Sequence, residues 1–272
     1  MKPRIAISNI FDQNAERLLE FVSLNGFDGV DWTIDTEQSE KAFASQMVTL
    51  STVEVRFHCA LPGIDFAYAD NRAESSMEVL TRTIARIAGV GRKHMTVHTG
   101  FGHVAEGELD FTKALKNLTI LVERGAQCGV LISLENLTSH WTSDPELFHE
   151  LIEQSGAGVT LDIGHAHVCS SRSPGTNMYE RYIMPHRDRI VSAHIYHTEQ
   201  SSVGHVPPRR IEDLYDRLEL LQGAASCTWW VIELKKRREI LHTRDLLNHY
   251  RKDSFAPPRP GKEGTKNSQH VC

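Results

Sequence analysis

Short runs rich in apolar and β-branched residues alternate along the chain with longer segments of helical period. The runs are Arg4 to Ile10, Gly29 to Ile34, Val53 to Cys59, His94 to His98, Val130 to Glu135, Val159 to Ile163, Ile190 to Ile195 and Trp229 to Leu234. Between them, Ala15 to Leu24, Ala73 to Ala88, Phe111 to Cys128, Pro145 to Gln154, Ile211 to Leu221 and Thr243 to Tyr250 carry the spacing of helices. Parallel strands joined by crossover helices give this alternation. Eight strand-then-helix units predict closure into a single-domain (β/α)8 barrel over residues 1–255.

Local chemistry supports the boundaries. Ser143-Asp144-Pro145-Glu146 supplies an N-cap, a proline where a missing amide donor costs little, and an acid suited to the helix dipole, so a helix is expected to begin there. Gly125, Gly129, Gly156 and Gly158 are candidates for positive φ where helices turn into strands. The segment 256–272 has too little apolar content to offset its ordering entropy and is expected to be a disordered tail.

A length of 272 residues suits one barrel, which commonly needs about 250. With 40% hydrophobic and 24% charged residues, and no run of about 18 apolar residues, the chain has no membrane span. Met1 to Ile7 enters a strand-like stretch with no secretory pattern, so a cytoplasmic protein is expected. The cysteines, Cys59, Cys128, Cys169, Cys227 and Cys272, are scattered and odd in number, which fits core thiols in a reducing compartment. A net charge of -5 argues against nucleic acid as partner, and nothing in the sequence decides between monomer and homo-oligomer.

Polar residues at the C-terminal ends of buried barrel strands are the informative ones. They read Asp31, His58, His98, Glu135, Asp162, His165, His194 and Glu233, and closure brings them into one ring. Taken alone, each acid has the plain explanation of a salt bridge to Lys or Arg. Glu135, Asp162 and Glu233 together would repel one another in a half-dry mouth, and a divalent metal held by these three and His194 resolves that conflict. Oxygen-rich ligation with one imidazole suits Mn2+, Mg2+, Co2+ or Zn2+. His58, His98, His165 and His205 are candidates for further metals or for substrate, each set against the commoner role of a structural histidine. His103, His140, His197 and His242 read as loop residues, and His149, His249 and His270 as solvent-facing or tail residues. Arg209-Arg210 and Lys235 to Arg238 leave strands seven and eight where many barrels bind phosphate, so Arg209 and Lys235 are candidate phosphate contacts; a solvated basic turn is the plainer reading.

From Gly26-Phe-Asp-Gly-Val-Asp to Val231-Ile-Glu the chain resembles the xylose isomerase-like TIM-barrel superfamily of sugar isomerases and epimerases, polyol-ketone dehydratases and metal-dependent AP endonucleases. Val159-Thr-Leu-Asp-Ile-Gly-His-Ala and Leu134-Glu135-Asn136 carry the resemblance. It implies that Glu135, Asp162, His194 and Glu233 are the metal tetrad, with Glu135 and Glu233 also the proton-transfer groups of the epimerase branch. The endonuclease branch implies three metals, and His58, His98, His165 and His205 match most of the added ligands. Its acid two residues before the late histidine is Val203 here, which leaves a third site short of a ligand; the arginine that the epimerase branch often has after strand seven is absent from Thr198-Glu199-Gln200. The leading expectation is a metal-dependent isomerase or epimerase of a sugar or sugar phosphate, acting through an enediolate. The alternatives are an AP endonuclease-like phosphodiesterase, a dehydratase of a cyclic polyol ketone, and a non-catalytic barrel.

Overall fold

Eight parallel strands pair in a closed ring in the computed structural model, which describes residues 2–254 apart from 102, 103, 174, 176 and 177. The ring runs β1 (Arg4–Ser8), β2 (Gly29–Thr33), β3 (Glu54–Cys59), β4 (His94–Val97), β5 (Leu131–Glu135), β6 (Gly158–Asp162), β7 (Ile190–Ile195) and β10 (Trp229–Ile232), which returns to β1. The antiparallel pair β8 (Thr198–Gln200) and β9 (Gly204–Val206) forms a hairpin beyond β7. Around the ring lie α1 (Ala15–Asn25), α2 (Glu40–Thr49), α3 (Arg72–Gly89), α4 (Phe111–Cys128), α5 (Pro145–Ser155), α6 (Ile163–Arg172), α7 (Met178–Ile183), α8 (Tyr215–Gln222) and α9 (Arg237–Ser254). The predicted single-domain (β/α)8 barrel is what the chain adopts. No helix among the described residues is long and apolar enough to cross a membrane.

The main apolar core lies between the ring and its helices, whereas the lumen is largely polar. Outward strand residues such as Ile5, Ile7, Val30, Phe57, Met95 and Ile132 belong to the outer core, while Ala6, Trp229 and Val231 form a small separate cluster. Alternation along a strand dictates this division. Within the barrel Thr96, Ser133 and Thr160 join hydroxyls at 2.7–3.4 Å, and Arg56 lies over the Trp229 ring and donates to the Val191 carbonyl at 2.8 Å. Gly29 makes room for that indole: a Cβ there would meet the Trp229 ring at 2.5 Å.

Asp144 caps α5 as expected, accepting from the amides of Glu146 and Leu147 ahead of Pro145. Gly129 and Gly156 take the positive φ assigned to them, at 70° and 76°. Gly125 and Gly158 do not: Gly125 lies inside α4, where a Cβ would strike Ile132 at 2.6 Å, and Gly158 opens β6. The expected helix Ile211 to Leu221 is divided into a 3-10 turn, Ile211–Asp213, and α8. Cys59, Cys169 and Cys227 are buried free thiols, but Cys128 is exposed at the end of α4, so it is not a core residue. Cys272 and the tail 256–272 lie outside the described residues, as do His103 and His270.

Candidate functional site

The strands deliver their final inward residues to one end of the barrel. Glu135 ends β5, Asp162 ends β6, His194 is the penultimate residue of β7 and Glu233 directly follows β10. All four are at most 5% exposed. Two flanking segments fix their depth. Asn136 accepts from the Asp162 amide at 2.8 Å and donates to the Asp162 carbonyl at 3.0 Å, tying the ends of β5 and β6 together. Asp162 Oδ1 accepts from the His165 amide at 2.7 Å, capping α6, which leaves Oδ2 without a hydrogen-bond partner.

His194 Nδ1 lies 3.0 Å from Glu233 Oε2, 3.3 Å from Glu135 Oε1 and 3.7 Å from Asp162 Oδ2. It has hydrogen-bonding geometry to none of them. A nitrogen aimed at three carboxylates without donating to any is the disposition of ligands about a common point. The four residues offer one atom each within 4.8 Å of one another. The plain explanation of a salt bridge for each acid fails here: among the described residues, every ion-pair partner of Glu135, Asp162 and Glu233 is a histidine. On its far side His194 Nε2 is 3.5 Å from Asp31 Oδ2, so a buried carboxylate stands behind the imidazole, a common arrangement for orienting a ligating ring. Asp31 is visible in the sequence as a strand-end acid, but nothing there distinguishes it from the ligand types around it.

Two further groupings adjoin the tetrad. His58 Nε2 and His98 Nε2 lie 3.1 and 2.8 Å from Glu135 Oε2, so Glu135 contacts these two through one oxygen and His194 through the other. On the other side, His165 Nε2 is 3.4 Å from Glu199 Oε2, and these two cluster with His205. His165 Nδ1 donates to the Asn136 carbonyl and His205 Nδ1 to the Glu233 carbonyl, each at 2.8 Å, which fixes both rings through Nδ1 rather than Nε2. Val203 is 57% exposed, and the carboxylate in this grouping comes instead from Glu199. Glu199 pairs directly with His205 across the β8–β9 hairpin and lies on the same face. Counting along one strand misses a carboxylate brought in by cross-strand pairing; the short Thr198–Val206 span around Gly204, at φ 79°, is the only local signal.

Burial disfavours charge throughout this cluster, yet the groups sustain one another. Against burial, the facing histidines, His194 foremost, hold Glu135 and Glu233 well below the usual carboxylate range. The same opposition, with Glu135 and Glu233 prevailing, holds His194 well above the ordinary imidazole value. His165 is pushed up to about 10, where Asp162 and Glu199 outweigh burial. At His98 burial wins and the value is lowered.

A cavity of about 370 Å³ opens over these residues, lined in part by His58, His98, Glu135, His165, His205, Glu233 and Lys235. That volume is of the order of small-molecule sites. A larger open groove of about 1150 Å³ runs between α3 and α4, but among the described residues no convergent ligand set lines it. Of the basic candidates, Lys235 reaches the mouth. Arg209 is exposed and absent from the lining; its amide donates to Asp213 and its carbonyl accepts from His242. Lys236 pairs with Glu239, and Arg237 with Asp12.

Fold and mouth together define a parallel (β/α)8 barrel with a buried cluster of acids and imidazoles at the C-terminal ends of its strands. The chain belongs to the xylose isomerase-like TIM barrel family, whose model matches residues 19–251. An uncharacterized protein of Methanocaldococcus jannaschii is 27% identical over 177 residues, spanning 65% of this chain and 74% of that protein. Among solved structures, a D-tagatose 3-epimerase-like protein superposes with a TM-score of 0.72 at 19% identity, covering 93% of this chain and 100% of its own. An L-ribulose 3-epimerase gives 0.71 at 18% identity, over 96% and 100%. Endonuclease IV from Thermus thermophilus gives 0.67 at 14% identity, over 92% and 100%.

Proposed function

We propose that this protein is a metal-dependent isomerase or epimerase of a small polyhydroxy carbonyl compound, a sugar or sugar phosphate. The observation that carries this reading is the placing of two buried glutamates at a cavity of small-molecule size. His58 faces both, with Nε2 3.1 Å from Glu135 Oε2 and Nδ1 3.6 Å from Glu233 Oε1, and each glutamate offers an oxygen to the cluster whose atoms lie within 4.8 Å of one another. Glu135, Asp162, His194 and Glu233 would hold the divalent cation, and the unpartnered Asp162 Oδ2 and His194 Nδ1 fit that role. When bound, the cation polarises a carbonyl and offsets the negative charge that develops as a neighbouring C–H is deprotonated. Both carboxyls are held below the usual range, so either can serve as the base; one glutamate would remove the carbon-bound proton and end the turnover protonated, while the other, having first taken a proton from water, would deliver it to the carbon. Return to the opposite face gives inversion; return by the same carboxylate to the adjacent carbon gives an aldose–ketose isomerisation. Lys235, exposed at the cavity, suits a phosphate on the distal end of the substrate. Likeness to sugar epimerases supports the reading at the level of the fold.

A second reading, hydrolysis of a phosphodiester at an abasic site, is favoured by one specific observation: the His58–His98–Glu135 and His165–Glu199–His205 groupings beside the tetrad. Clustered metals activate water and hold phosphate oxygens in such chemistry. One experiment separates the two. Metal-loaded protein incubated in deuterated water with a panel of ketoses and their phosphates is expected to place deuterium beside the carbonyl. Absence of exchange with every compound, together with nicking of an abasic oligonucleotide, would overturn the first reading in favour of the second.

A further inference from the structure

Away from the mouth, the outer wall carries a second kind of cluster. His149 and Glu153 lie one turn apart on α5 and face His186, which ends the 3-10 turn Met184–His186 just before β7. One ligand-type atom from each of the three falls within 4.8 Å of the others. His186 is fully buried, and neither of its ring nitrogens has a hydrogen-bond partner. A buried imidazole normally finds at least one partner, because an unmet donor or acceptor loses its water without replacement. The rings around it offer none: Phe148 meets it edge-on at 5.6 Å, and His149 lies at 5.0 Å. His149, which the sequence marks as solvent-facing, thus turns its ring toward a buried one.

We propose that His149, Glu153 and His186 form a peripheral binding site for a borderline divalent transition metal, Zn2+ or its neighbours Co2+, Ni2+ and Cu2+. Two imidazoles and one carboxylate, with a position left for water, match that class; Mg2+ and Ca2+ demand more oxygen. The ligand set differs from the oxygen-rich tetrad and shares no residue with it, so the inference is independent of the proposed activity. Bound there, the ion joins α5 to the segment that enters β7. One cation competes for the site. Arg189 Nη2 lies 3.5 Å from Glu153 Oε2 while its Nη1 donates to the Ile152 carbonyl at 3.1 Å, and its side chain is 39% exposed, free to swing outward.

The test uses the whole chain and Zn2+ itself. Zinc stoichiometry by equilibrium dialysis and the zinc-induced rise in Tm are measured for the wild type, His149→Ala, Glu153→Gln and Arg189→Ala, with folding checked by circular dichroism. The mouth contributes equally to all four. The wild type is expected to bind one zinc more than His149→Ala at concentrations that fill the site, and Glu153→Gln to bind at this site at least about tenfold more weakly. Arg189→Ala should bind several-fold more tightly, because the competing cation is gone; magnesium should not displace the ion. Glu153 is exposed, so its variant decides the matter should His149→Ala fail to fold. Equal stoichiometry and equal Tm shifts in the wild type and the folded ligand variants would overturn the site and leave His186 as a buried ring of the core.

Discussion

Glu199 Oε2 faces His165 Nε2 at 3.4 Å across the gap between the β8–β9 hairpin and α6. The contact completes an outer grouping that the linear sequence leaves one acid short, and it bears on the choice between the two functional readings. If Glu199 and His165 meet substrate, Glu199→Gln should raise KM about tenfold, the loss of one charge-assisted hydrogen bond, with metal content unchanged. If they hold a cation, the same substitution should remove one equivalent of bound metal. The expected result is the KM effect; loss of a metal equivalent at the mouth would favour the hydrolytic reading. Metal analysis of the purified variant beside the kinetics distinguishes them.

Metal removal probes the tetrad directly. Only the folded state assembles Glu135, Asp162, His194 and Glu233 from four strands, so a bound cation adds stability by linkage, about 2.7 kcal/mol when free metal exceeds Kd by a hundredfold. Chelation should lower Tm, and Mn2+ or Co2+ should restore it. A melt unmoved by verified demetallation would exclude a metal at these residues.

Glu233→Gln keeps the side-chain volume but removes an anionic ligand and a proton acceptor. Turnover should fall by at least about a hundredfold, the usual scale of a general acid–base group, and far more than stability does. Near-normal turnover at full metal occupancy would rule out the role given to Glu233. Glu135→Gln should behave alike, with metal content measured beside it, since Glu135 Oε1 faces His194 and Oε2 faces His58 and His98.

The barrel is legible because short apolar, β-branched runs alternate with helical periods, and because ligand-type residues stand at the same end of each run. The ring of candidate ligands follows from those strand ends, and the family resemblance singles out Glu135, Asp162, His194 and Glu233 within it. What escapes is structure set by tertiary contacts. Ile163 reads as the end of a strand, but Asp162 caps the chain into α6 at that point. The α2 helix buries only Phe43 and Met47, one turn apart, and has too weak an apolar stripe to be read along the chain. Glu199 and His186 likewise owe their settings to partners distant in sequence, and no local spacing announces them.

Gly164 in the Asp-Ile-Gly-His segment is a steric requirement. A Cβ there would overlap the Tyr196 ring, and Tyr196 in turn stacks on His205 at 3.9 Å between centroids with planes 7° apart. Tyr196 is fully buried and cannot move aside cheaply. Gly164→Ala should therefore destabilise by about 1–3 kcal/mol, the usual cost of overpacking, and should weaken whatever His205 binds. Unchanged denaturation midpoints would show that the α6–Tyr196 contact is looser than it stands here.

Beneath the mouth, His94 gives a pH dependence of definite sign. Its Nε2 is 2.9 Å from Ser133 Oγ, its Nδ1 has no hydrogen-bond partner, and burial, aided by the Arg56 charge, lowers its pKa to about 3. The unfolded chain takes up this proton near pH 6.5, whereas the folded chain refuses it until far lower. Stability from this residue is therefore present above about 6.5 and is lost as pH falls toward about 3. Between pH 7 and 5 the loss should amount to about 2 kcal/mol. His94→Gln cannot titrate, so in urea denaturation at those two pH values its stability should fall by about 2 kcal/mol less than that of the wild type, whatever its own starting stability. The mouth histidines and carboxylates titrate alike in both proteins and cancel in the comparison. Equal slopes would mean that His94 reaches water or a proton acceptor in the folded state, contrary to its burial behind Ser133.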